Sequence, residues 1–259
     1  SEQAGEKATE AAKEEKAESG ELRTYKLGVN GSDHEEWEKA NELLAKDNIK
    51  LEMVEFSDYV KPNEALEDGE IDLNAFQTEI YFNNFVKERG YTDLGILAYT
   101  QVAPMGIYSS KYKSLDEATG HLIIAIPNDV TNGGRALKFL EKNGFLTLKK
   151  EAGLTPTVMD IEKYNKDVEI VEMVATQIPA SLPDLSFACI NNGVAKDAGL
   201  TLKNDAIVYE DYKEPDMKNY WNIIAAKKDR IESEDFQKIK KAYNSDEVKQ
   251  VVLEHYDGQ

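Results

Sequence analysis

Reactive side chains are scarce in this sequence. Its 259 residues include one cysteine, three histidines and two tryptophans. A single thiol closes no internal disulfide, and Cys189 lies inside the apolar stretch SFACI, where it reads as a buried strand residue. A nucleophile needs a base beside it, yet His34, His121 and His255 sit in no recognisable partner motif. Zinc-ligand spacing is missing. So are a G-x-S-x-G elbow, a phosphate loop ending in GKS or GKT, and a carboxylate pair suited to acid–base work. No catalytic residue, metal site or cofactor is therefore expected. Positive charge is also short: 31 Lys and Arg against 49 Asp and Glu leave a net charge of −18. Nucleic-acid phosphates need a basic footprint, which excludes that class of partner. No run approaches the roughly 18 apolar residues of a membrane span.

Residues 1–20, SEQAGEKATEAAKEEKAESG, lack every aromatic and all Leu, Ile and Val, and hold six acids and three bases. Such a segment cannot bury enough apolar surface to offset its ordering entropy. It reads either as a disordered or appended tail, or as a tether between a folded body and an anchor. The expected division starts from there, with a disordered tether over 1–21.

From Tyr25 onward the hydrophobic pattern is that of a packed domain. YKLGVN, IKLEMVEF and IDLNAF read as strands, separated by the amphipathic EEWEKANELLAKDN and the short KPNEALEDGE; QTEIYFNNFVKERG follows as a helix stopping at Gly90. A second series begins after Ile107. LIIAIP is a strand, NGGRALKFLEKNG a helix, VEIVEM a strand, TQIPASLPD a helix or turn, and LSFACI a buried strand leading into NNGVAKDAG. WNIIAAKK and the helices of SEDFQKIKKAYNSDEVKQVVLEHY, capped by Ser233 or Ser245, return to the style of the first series. Alternating strands and helices predict an α/β fold with parallel sheets and crossover helices, and two series predict two closely packed lobes.

Ligands of such sheets bind beyond the carboxyl ends of strands. Those ends carry SDYV, FQT, NDVTNGGR and the pair Asn191–Asn192. TNGGRAL places free backbone N–H groups at a helix start, which favours an anion. Its glycines admit a close approach, and Arg135 adds a planar fork matched to a carboxylate. The alternative is a plain glycine turn with Arg135 facing water. An asparagine after a buried strand offers donor and acceptor together, which suits a zwitterion, or it is a turn and cap signal. Tyr59, Phe76 and Tyr81 form either an apolar wall or part of a core.

FSDYVKPNEALEDGEIDLNAFQ, PMGIYSSKYKSLDE, IAIPNDVTNGGRALKFLEKNG and INNGVAKDAGL occur here in that order. Together they resemble the NlpA-type methionine-binding lipoproteins, the substrate-binding proteins of methionine-uptake ABC transporters. The resemblance runs from about Tyr25 to the C-terminal helices. It implies a two-lobed, periplasmic-binding-protein-like α/β fold, each lobe a mainly parallel sheet flanked by helices, with the ligand cleft between them. Crossings near Met105–Tyr108 and Tyr220–Ile223 would join 22–106 and 223–259 into lobe 1 and leave 107–222 as lobe 2. By the same resemblance, Arg135 would hold an amino-acid carboxylate, with Asn132 beside it. Asn191, or its neighbour Asn192, and Asn222 would meet the ligand's polar groups, and Tyr59, Phe76 and Tyr81 would enclose its side chain. One position departs: the family's usual histidine is Thr78, which leaves room and removes a donor. The early run NGSDHEEW also differs, with Trp37 added. The implied ligand is methionine or a close analogue, with a methionine dipeptide or another apolar amino acid as the alternative. The implied partners are ABC permease subunits and, through an N-terminal lipid anchor on the extracytoplasmic face, a membrane. A hydrolase or transferase on the same scaffold, or a surface adhesion or signalling protein, are the other classes.

Overall fold

The computed structural model describes residues 20–255. The tether reading of the N-terminal segment lies outside them. Along the chain run β1 (Arg23–Asn30), α1 (Glu35–Leu44), β2 (Ile49–Phe56), α2 (Lys61–Glu67), β3 (Leu73–Thr78), α3 (Glu79–Arg89) and β4 (Leu94–Val102). Next come β5 (Gly106–Tyr108), β6 (Leu122–Pro127), α4 (Val130–Lys142), β7 (Leu146–Leu148), β8 (Ile161–Tyr164), β9 (Val168–Met173), β10 (Phe187–Ile190), α5 (Asn192–Asp197), α6 (Leu202–Asp205) and β11 (Val208–Tyr209). The chain closes with β12 (Trp221–Lys227), α7 (Glu234–Tyr243) and α8 (Asp246–His255). No helix among the described residues is long and apolar enough to cross a membrane.

Two five-stranded sheets organise these elements, in the orders β2-β1-β3-β12-β4 and β11-β5-β10-β6-β9, with β7-β8 as a small annex. The parallel pairings expected of strand–helix–strand units are β1 with β2 and β3, and β6 with β9 and β10. Antiparallel strands complete each sheet: β12 enters the first between β3 and β4, and β5 enters the second between β10 and β11. Both are the strands that arrive from the other half of the chain, so no crossover helix constrains their direction. β4, β5, β7, β8 and β11 have no counterpart in the strand reading above.

Each sheet buries both faces. Leu27, Val29, Trp37 and Ile239 pack on one side of the first sheet, and Leu66, Phe82 and Ile223 on the other. Ile124, Leu137, Phe145 and Phe187 fill one side of the second, and Ala125, Ile178 and Ile190 the other. Two double-faced sheets each bury apolar surface worth about 25 cal/mol per Å², so each half has a core of its own. Trp37, the added aromatic of the early run, is 2% exposed and stacks obliquely on Tyr243, centroids 4.5 Å apart. Cys189 is fully buried in the second core, and burial pushes its thiol far above the usual range, so it is a packing residue. Ser233 and Ser245 both accept a backbone N–H at the starts of α7 and α8, as their sequence positions suggested.

Candidate ligand-binding cleft

A cleft of about 770 Å³ lies between the two sheets, within the roughly 300–1,000 Å³ usual for small-molecule sites. Tyr59, Phe76, Thr78, Tyr81, Asn132, Arg135, Asn191 and Asn222 all lie on its wall, as does Asn192. They come from different ends of the chain: the loop after β2, the end of β3, the first turn of α3, the first turns of α4, the end of β10 and the start of β12. This is the carboxyl-end rim of the parallel strands.

The first sheet supplies the rings. Tyr59, Phe76 and Tyr81 contact one another with centroids 5.9–6.1 Å apart, the Tyr81 ring nearly edge-on to the other two. The Tyr81 hydroxyl donates to the Tyr59 carbonyl at 2.6 Å, which locks the loop onto α3. Burial, with the Asp129 charge adding to it, pushes both phenols well above their usual range, so they stay neutral. Thr78 is 7% exposed, and its Oγ accepts the Tyr81 N–H at 3.2 Å, capping α3. The helix therefore begins at Glu79, not at Gln77 as the sequence pattern suggested. Asn222 is the register partner of Thr78 on β12. Behind Phe76, Asn63, Asn74 and Gln77 form a closed amide network with bonds of 2.8–3.0 Å, each residue 3% exposed or less. Being fully paired, it pins β3 to α2 and so holds Phe76 and Thr78 in place. No local pattern in the sequence announced it.

The second sheet supplies the polar groups, and here two sequence expectations change. The start of α4 is not left open for an anion. Asp129 caps it, accepting the Asn132 N–H at 2.9 Å and the Thr131 hydroxyl at 3.1 Å. Burial raises the Asp129 carboxyl, while these hydrogen bonds pull against the shift. Nor do the glycines make room for a ligand. A Cβ on Gly133 would lie 2.8 Å from the Pro127 carbonyl oxygen, and one on Gly134 would lie 3.0 Å from the Pro156 carbonyl oxygen. They let α4 press against the protein's own backbone. The signal for the cap was present: Asp129 stands three residues before Asn132.

Arg135 is 4% exposed and already has a carboxylate. Its Nη2 donates to Glu210 Oε1 at 2.7 Å and its Nε at 3.0 Å, with Oε2 at 3.3 Å from Nε. Nη2 also donates to the Ala103 carbonyl at 2.8 Å, and Tyr220 lies under the guanidinium at 4.2 Å. Burial pushes the Tyr220 phenol up to about 12, so the stacked ring adds no negative charge. Glu210 also accepts the Met105 N–H at 2.7 Å. Arg135 thus ties α4 to the chain between β4 and β5 and to the segment before β12. Glu210 lies 75 residues from Arg135, which is why no local motif revealed it.

A directed relay of amides runs from Asp129. Asn132 Nδ2 donates to both Asp129 oxygens, at 3.0 and 3.2 Å. A carboxylate only accepts, so the Asn132 carbonyl must face the other way, and there it accepts from Asn191 Nδ2 at 3.0 Å. That leaves Asn191 Oδ1 as the relay's end, a buried acceptor without a donor. The polar wall therefore presents an acceptor at Asn191, and Arg135, which also lines the cleft, has an Nη1 that no bond among the described residues uses.

The family model of NlpA lipoprotein matches residues 25–259. The D-methionine-binding lipoprotein MetQ of Escherichia coli K12 is 40% identical over 237 residues, covering 90% of this chain and 86% of that protein. Among solved structures, a putative lipoprotein from Ruminococcus gnavus superposes with a TM-score of 0.87 at 40% identity, covering 92% of this chain and 98% of that one. The substrate-binding protein of a methionine transporter from Streptococcus pneumoniae gives 0.84 at 37% identity, covering 91% and 94%.

Proposed function

This chain belongs to the NlpA lipoprotein family, and on that premise we propose that it captures methionine in the cleft between its sheets and hands it to an ABC permease. The observation that carries the reading is the pairing of opposite polar ends at one wall: the donorless Asn191 Oδ1 suits an ammonium, and Arg135 Nη1 suits a carboxylate. An α-amino acid carries both groups on one carbon. The ring cluster of Tyr59, Phe76 and Tyr81 offers an apolar, polarisable lining that matches a thioether side chain. Asn132 orients Asn191, Asn222 faces the polar end from β12, and Thr78 holds Tyr81 in place through its cap. The protein does no chemistry in this reading, in keeping with a relative named as a D-methionine-binding lipoprotein and a solved structure named as a methionine transporter's substrate-binding protein.

The same proposal divides the chain into lobe 1 (22–106 with 223–259) and lobe 2 (107–222), which close about the segments joining β4 to β5 and the stretch ahead of β12. It places the protein outside the cytoplasm, held to a membrane by an N-terminal lipid anchor. A methionine dipeptide is the second reading, favoured by the extent of the cleft, whose wall also includes Trp37 and Tyr243.

Calorimetric titration of ligand-stripped protein with L-methionine, D-methionine, glycyl-methionine and leucine tests this. Methionine should bind, and Asn191→Ala should weaken it by about 1.5–3 kcal/mol, the worth of a hydrogen bond to a charged group. Tight binding of glycyl-methionine alone selects the dipeptide. Heat from none of them sinks the reading.

A further inference from the structure

The two halves touch at a second place, away from the chain segments that connect them. Gly31, Ser32 and Asp33 follow β1 of the first sheet, and Lys196 and Asp197 end α5, which follows β10 of the second. Asp197 Oδ1 accepts the Ser32 N–H at 3.4 Å. Lys196 Nζ donates to the Asp33 carbonyl at 3.2 Å and lies 3.8 Å from its carboxylate. Gly31 has φ +72°, and any Cβ there would run into the Asp197 carboxylate, so the contact requires glycine twice over. Gly31 and Asp197 both border the cleft.

We propose that Gly31–Asp33 and Lys196–Asp197 form a latch that holds the lobes closed, so that the residence time of the ligand is set partly by residues that never touch it. This rests on reading the cleft as a solute site. The coupling is short. Asn191, the proposed ammonium acceptor, is the N-cap of α5, and Lys196 and Asp197 close the same helix. A solute that fixes Asn191 at one end therefore places the latch residues at the other. Lys196 is held among Glu36, Asp33, Glu35 and Asp197, while burial draws its ammonium below the usual lysine range. Its attraction to the facing lobe is electrostatic and half-shielded, so added salt loosens the latch.

The test compares the parent with Gly31→Ala and with the double variant Lys196→Gln, Asp197→Ala. Methionine release is followed by stopped flow, using the Trp37 that lines the cleft as reporter. In the double variant release should be about 2–5-fold faster, the range for partly exposed charge pairs, with association little changed. Salt should speed release from the parent but not from the variant, and the unfolding midpoint of stripped protein should stay put. Release equal to the parent's, with the same salt response, overturns the latch. X-ray scattering of stripped protein separates this from the solute reading. If methionine fails to bind the parent, an enlarged radius of gyration in the variants still supports the latch, and an unchanged one refutes it.

Discussion

On the side of the first sheet the cleft is lined by rings that contact one another, Tyr59, Phe76 and Tyr81, with Asn222 at their margin. On the side of the second it is lined by a guanidinium and a directed run of amides, Arg135, Asn132 and Asn191. The first wall holds its shape by packing, the Tyr81 phenol-to-carbonyl bond, the Thr78 cap and the amide network behind it, and the surface it shows the ligand discriminates weakly, because apolar contact has no direction. The second holds its shape by hydrogen bonds whose direction Asp129 and Glu210 impose, and it discriminates by donor and acceptor. A ligand with a polar and an apolar end is oriented by the difference between the walls, and neither wall orients it alone.

The largest expected effect comes from removing the guanidinium. Arg135→Ala should weaken methionine binding by about 2–5 kcal/mol, and should also destabilise the fold by about 3 kcal/mol, because the largely buried Glu210 carboxylate is left without its counter-charge. Adding Glu210→Gln should restore the unfolding midpoint without restoring affinity. Recovery of both by the double variant would mean that Arg135 serves only the fold.

Cutting into the other wall, Phe76→Ala should cost about 1.5–3 kcal/mol of affinity for methionine, the burial energy of one such side chain. Phe76→Leu should recover most of it, since this wall asks for apolar volume and not for a particular group. Equal and severe losses in both variants, measured by titration, would show that the ring itself is recognised.

Thr78 tests whether the boundary between the walls is structural. Thr78→Ala should lower stability by about 1 kcal/mol through the lost cap, and Thr78→Ser should lie close to the parent in both melting and binding. A Thr78→Ser variant that melts normally but loses affinity would move Thr78 into direct contact with ligand.

The smallest effect concerns His34, on the cleft wall beside the latch. Burial lowers its pKa, but the Glu36 carboxylate and the Gly31 and Asn30 carbonyls outweigh that and raise it above 6.5. A group raised in the folded state stabilises fully below its unfolded pKa and stops doing so as pH rises through the folded value. His34→Gln should therefore destabilise the protein by less than about 1 kcal/mol at pH 6, with the difference fading as the pH rises through the raised folded value. A proton NMR titration placing His34 below 6.5, or a variant penalty that grows with pH, contradicts the assignment.

Most strands and helices were legible because their signals are local. LIIAIP is too short and apolar for an exposed helix, Gly90 ends α3 at φ +68°, and Ser233 caps α7. The short β5, β7, β8 and β11 escaped, since strands of two to four residues carry little periodicity, and the nine-residue β4 escaped because LGILAYTQV has no clean apolar–polar alternation. At the site, the eight residues named from motifs and resemblance all lie on the cleft wall, while others on that wall, such as Gly31, Gln101 and Asp197, were not named, nor were the partners behind it: Glu210 and Tyr220 behind Arg135 and Asn63 behind Phe76 are set by contacts far apart in the chain.

By itself the sequence determined the class of molecule. Its composition offers no nucleophile with a base, no metal spacing and no basic footprint, its periodicity demands two series of strands and helices, and its motifs name the residues of a cleft. Only the tertiary structure decided what those residues face. Whether the glycines of TNGGRAL admit a ligand or the protein's own backbone, and whether Arg135 is open or already half engaged, depend on Pro127, Pro156 and Glu210. Hydrogen bonds and steric contact act over about 3–4 Å, and only folding brings groups remote in sequence within that range.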